Sequence, residues 1–122
     1  MTAVGLWLGV AALGAVGALA RFGLDGFISA RAGSGFPLGT LAVNLSGAFA
    51  LGLLVGAGLG GDRLLLAGTA TLGSYTTFST WMLESHRLGE GGQRCGLALN
   101  LAASLLLGIT AAALGRELGM LL

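Results

Sequence analysis

Charge is what this sequence has least of. Six basic and five acidic residues supply all the formal charge in 122 positions, where a soluble domain presents roughly 25% charged side chains. So few cannot clothe a water-facing surface, and the chain reads as a membrane protein. Lysine is absent. The basic residues are Arg21, Arg31, Arg63, Arg87, Arg94 and Arg116, scattered without a run, so nucleic acid has no electrostatic footprint to bind. A lone Cys95 permits neither an internal disulfide nor a cysteine metal centre, and His86 alone cannot make a zinc site. One proline, and glycines with no three-residue period, exclude collagen; 55% apolar content excludes disorder. No nucleotide-binding motif and no nucleophile–base pair is visible, so neither a pump nor an enzyme is indicated.

Long apolar runs are abundant. A spanning helix needs about 20 such residues, and four runs qualify: roughly Ala3 to Ala20, Pro37 to Gly60, Leu64 to Ser85, and Gly96 to Gly115. The connectors "RFGLDGFISARAGSGF", "GDR" and "HRLGEGGQR" hold most of the charge, as interfacial loops should. "ALA" at 18–20 has the look of a signal cleavage site, but no Lys or Arg precedes the run, so the segment reads as a span. The expected domain is a single integral membrane unit over residues 1–122.

Small residues recur at helical spacing: Gly52, Gly56 and Gly60 on the second run, and Gly96, Asn100, Ser104 and Gly108 on the fourth. The glycines are expected to be helix–helix contacts. Asn100 and Ser104 also need partners in lipid, which leaves packing and transport both open. With the N-terminus inside, two arginines fall inside and four outside, or three if Arg21 is drawn into the protein. The bias is weak enough to permit insertion both ways, and an antiparallel homodimer with its axis in the membrane plane follows as a possibility.

The third run holds the densest polar cluster. "LGSYTTFSTWMLES" puts Ser74, Thr76, Thr77, Ser79 and Thr80 within seven positions of an otherwise apolar chain. Glycine, serine and β-branched threonine are poor helix formers, so the helix is expected to break near Gly73–Thr76. Broken backbone at membrane depth survives only when buried in protein or lining a cavity, where freed carbonyls can hold a small cation. Phe78 and Trp81 are three apart and share a face. Their electropositive ring edges, interleaved with hydroxyls, can line an anion path without formal charge. On the second run Thr40 and Asn44 are four apart on one face, and the Asn44 amide carries two donors. By position, Arg21 reads as an interfacial arginine and Glu84 as a solvated acid near a helix end.

Three stretches in order, "GAVGALARF" at 14–22, "GTLAVNLSGAFALG" at 39–52 and "GTATLGSYTTFSTWMLE" at 68–84, resemble the CrcB/Fluc family of fluoride channels over essentially the whole chain. The resemblance implies an all-α fold: four transmembrane helices, the third broken, in an antiparallel dual-topology homodimer with two fluoride pores. It implies a sodium ion at the dimer centre, held by backbone carbonyls of Gly73 and Thr76. It makes Asn44 a donor to fluoride, Phe78 a ring edge facing it, and Thr77 and Ser79 hydroxyls near its path. Arg21 would hold positive potential at an aqueous vestibule. Thr40 and Trp81 complete the expected pathway, with Asn100 and Ser104 as a polar track on the fourth helix. The sequence departs from the family at two places: Trp81 stands where a second phenylalanine is common, and Asn100 where a tyrosine often precedes the serine by one turn. The expected activity is passive export of cytoplasmic fluoride across the cell membrane. The rival reading, a small proton-coupled multidrug exporter, needs a carboxylate deep in the first helix, and residues 1–20 contain none. A second rival is one subunit of a heteromeric channel.

Overall fold

The structure is a computed structural model describing residues 1–33 and 35–122. It is all-helical: α1 (Ala3–Ala32), α2 (Leu38–Gly56), α3 (Gly61–Leu64) running into a π-helix (Leu65–Leu72) and then α4 (Gly73–Tyr75), α5 (Ser79–Glu90) and α6 (Arg94–Gly119). Residues 61–90 are the third span, in two arms with a break between α4 and α5. Helices α1, α2 and α6 are each long and apolar enough to cross a membrane, and large apolar side chains such as Trp7, Leu8, Leu106 and Ile109 face outward, where lipid would meet them.

The first helix corrects the sequence reading. Arg21 was expected at its end, with a long connector after it. Instead α1 runs 30 residues to Ala32, about 45 Å. Nothing in residues 21–32 stops a helix: glycine only weakens one, and the polar groups bond locally. The Ser29 hydroxyl donates to Asp25 at 3.0 Å, and the Arg31 guanidinium donates to the Phe27 carbonyl at 3.3 Å while lying 3.6 Å from the Phe27 ring centroid. The helix starts on Thr2, whose hydroxyl accepts from the Gly5 N–H, and ends where Gly33 turns to φ 80°.

Two helix contacts carry the fold. Along α2 and α6 the backbones touch. A Cβ added to Gly52 would lie 2.1 Å from the Ala112 carbonyl oxygen, and one on Gly115 would lie 2.1 Å from that of Phe49. Gly56 and Gly119 repeat the arrangement one turn on, against Arg116 and Leu53. The packing role expected for Gly52 and Gly56 is therefore realised, while Gly60 falls outside α2 and has open space around it, as does Gly108. The second contact sets α1 against the π-helix and α4: a Cβ on Gly17 would lie 2.1 Å from the Thr71 carbonyl oxygen.

The break falls at the C-terminal end of the expected stretch Gly73–Thr76: Gly73 to Tyr75 are helical and the chain leaves the helix at Thr76, with ψ 163°. Gly14 and Gly17 of α1 pack on Ser74 and on the Thr71 and Tyr75 backbone, which holds this turn helical despite its composition. The two threonines that follow are where helix yields.

Candidate ion pathway

The break is fastened by one side chain. The Asn44 amide donates to the Thr77 carbonyl and accepts from the Thr77 N–H, each at 2.8 Å. The two bonds fix the amide's orientation, since flipping it would set donor against donor. Both backbone groups of a residue outside the helices are thereby satisfied within the protein, where each would otherwise carry a desolvation cost. Gly47, one turn further along α2, makes the room: a Cβ there would lie 2.2 Å from the Thr76 methyl. Ser46 gives its proton to the Val43 carbonyl and takes one from the Tyr75 hydroxyl at 2.7 Å.

The hydroxyls divide their work. Thr76 back-bonds to the Leu72 carbonyl at 3.0 Å, and the Thr76 N–H goes to the same oxygen. The Thr77 hydroxyl accepts from the Thr80 N–H at 3.2 Å, in the first turn of α5. Because the chain turns away, residues 77–79 do not close the last turn of α4. Among the described residues no side chain or non-helical backbone N–H donates to the carbonyls of Gly73, Ser74, Tyr75 or Thr76. Carbonyl oxygens left open in this way suit a hard monovalent cation.

Two spaces meet at this point. One is a polar cavity of about 330 Å³ lined by Arg21, Asp25, Thr40, Thr77, Ser79 and Thr80. Among the described residues Arg21 makes no ion pair, so its charge is presented to the cavity. The other is a mainly apolar groove of about 580 Å³ between α2, the first arm of the third span and α6. Asn44, Thr76, Thr77, Phe78, Trp81 and Ser104 lie on its wall, as does Gly73. Thr77 borders both. Phe78 is 68% exposed, unusual for a phenylalanine beside a helix break, and meets Trp81 edge to face with ring centroids 5.7 Å apart and planes at 83°.

Most of the residues singled out in the sequence are thus brought together, but Asn100 is not. It is 1% exposed and turned into the α5–α6 contact, where its amide donates to Ser85 at 2.8 Å. Three residues escaped the sequence reading. Glu84 is no freely solvated acid, because the buried Thr40 hydroxyl donates a hydrogen bond to its carboxylate. Asp25 was assigned to a loop, although its spacing of four from Arg21 was a signal for a shared helix face. Gly47, three residues after Asn44, was read only as part of a motif.

A family model described as CrcB-like protein, Camphor Resistance (CrcB), matches residues 8–116. The chain belongs to the CrcB family. Among curated CrcB relatives it is 53% identical over 121 residues, 99% of each chain, to a protein of Mycolicibacterium paratuberculosis named fluoride-specific ion channel FluC 2. It is 48% identical to one of the same name from Mycobacterium tuberculosis, covering 93% of this chain and 90% of the relative, and 40% identical to one from Bacillus cereus, covering 90% and 93%. The fold agrees with this membership: the chain is a multi-pass, all-α membrane protein with one bent span.

Proposed function

We propose that this chain is a fluoride-selective channel, not an enzyme, that lets cytoplasmic fluoride leave passively across the cell membrane, with residues 1–122 forming one channel domain. The observation that carries the reading is the Asn44–Thr77 pair: it holds an irregular backbone open between a polar cavity and an aromatic-lined groove. Fluoride holds its water tightly, so a dry passage must replace that water with close donors. The second Asn44 N–H, the Ser79 and Ser104 hydroxyls and the Phe78 ring edge are uncharged donors of this kind, whereas the hydroxyls of Thr40 and Thr77 give their protons to Glu84 and Thr80 and border the path as acceptors. None binds so firmly that the ion cannot leave. Arg21 lines the polar cavity and not the aromatic groove, so it raises anion concentration at the entrance without binding the ion beside Phe78. The similarity to relatives named fluoride-specific ion channels supports the choice of anion.

The functional unit proposed is an antiparallel homodimer in the lipid bilayer with two pores. The exposed Phe78, the apolar groove, and an arginine distribution of two against three once Arg21 is internal all suit a second copy packed the other way up. In that arrangement the open carbonyls of Gly73 and Thr76 from the two copies would together hold a structural sodium ion. The exporter reading gains little from Asp25, the first carboxylate on α1, because it bonds Ser29 and shares its cavity with Arg21.

Liposomes holding only the purified chain test the proposal. Fluoride efflux without chloride efflux is expected. Absence of fluoride efflux from well-folded protein, restored by a second kind of subunit, would make it half of a heteromer. Absence under both conditions would overturn the reading.

A further inference from the structure

We infer that Asn100 and Ser85 are positioning residues that act through Trp81 on the aromatic wall of the pathway, and that Asn100 does not meet the ion. The inference rests on the fluoride-channel reading above. The geometry is a closed hydrogen-bonded loop between α5 and α6. The Trp81 indole N–H donates to the Asn100 backbone carbonyl at 3.1 Å. The Asn100 side-chain amide donates to the Ser85 hydroxyl at 2.8 Å. The Ser85 hydroxyl donates to the Trp81 carbonyl at 2.8 Å. Ser85 is 3% exposed and Asn100 1%, so the loop is dry and neither side chain faces the groove.

Two consequences follow. The indole N–H is spent on α6 and is not a donor to a passing anion, so Trp81 contributes its ring alone. That ring meets Phe78 edge to face, so fixing Trp81 fixes the orientation of the exposed phenylalanine.

A double-mutant cycle separates this role from direct contact. The readouts are initial fluoride efflux per folded protein and Trp81 fluorescence, isolated in a Trp7→Phe background because the chain has two tryptophans. Groups acting as one unit are non-additive. Ser85→Ala and Asn100→Leu are each expected to slow efflux roughly tenfold, and the double variant by no more than either alone, with Trp81 emission shifted alike in all three. Effects that multiply to roughly a hundredfold, with Trp81 emission unmoved by Asn100→Leu, would make Asn100 a direct ligand and overturn the inference. So would wild-type efflux from both single variants. If Ser85→Ala fails to fold, Trp81→Phe combined with Asn100→Leu gives the same cycle, read by efflux. If the wild-type chain carries no fluoride, the channel reading has failed; a shared emission shift then still supports the loop and its absence rejects it.

Discussion

The α2–α6 seam and the break in the third span solve the same problem in opposite ways. Both bury backbone at membrane depth. The seam does it with regular helix and no side chains: Gly52, Gly56, Gly115 and Gly119 let two helical backbones touch. The break gives up that regularity, so its peptide groups must be satisfied from outside, by Asn44 for Thr77 and by the Thr77 hydroxyl for Thr80. A seam made of backbone is rigid and tolerates no added atoms. A break held by side chains leaves some polar groups open, and those are what an ion can use. Scaffold and pathway are thus distinguishable by what holds the backbone.

Substitutions can break that distinction. The largest effect is expected at the seam. Gly115→Val places atoms where the Phe49 carbonyl lies, and backbone on both sides cannot give way. The expected outcome is loss of the monodisperse peak in size-exclusion chromatography in detergent; a normal peak would mean the seam is looser than described. Next comes Gly47→Val, which intrudes on Thr76 but leaves the seam alone. Folded protein is expected with fluoride efflux lowered by about a hundredfold, the scale on which a misplacement of about 1 Å acts in a preorganised site. The smallest of the three is Phe78→Ile. It keeps apolar bulk and removes the ring edge, so efflux is expected to fall roughly tenfold, the equivalent of about 1.4 kcal/mol, with assembly unchanged. Equal efflux before and after would remove Phe78 from the pathway.

How much of this was legible in the sequence depended on whether the decisive contact was local. Helices α2 and α6 were readable because an apolar run between charges is a local signal. The break was readable from the hydroxyls of residues 74–80 to within a turn; that Ser74 and Tyr75 stay helical before it was not, because the contacts of Gly14 and Gly17 lie about 60 residues upstream. The length of α1 was hidden because the polar residues after Arg21 look like a loop until Asp25 is seen to bond Ser29, and Arg31 the Phe27 carbonyl, within the helix. Thr40 and Asn44 were placed on one face correctly, yet their partners, Glu84 and Thr77, lie 44 and 33 residues away. Asn100 shares a helical stripe with Ser104, and the stripe suggested one shared role. In the fold, Ser104 lines the groove while Asn100 turns to Ser85.

The most direct test of the account is fluoride efflux from liposomes carrying Asn44→Ala, compared with wild type at equal amounts of folded protein. The substitution leaves both polar groups of Thr77 without their partner and leaves the seam untouched. The account predicts an intact assembly with efflux reduced by about tenfold or more, since each orphaned buried group costs about 1–3 kcal/mol. Wild-type efflux from Asn44→Ala would contradict it, because the break would then hold and conduct without the side chain said to fasten it.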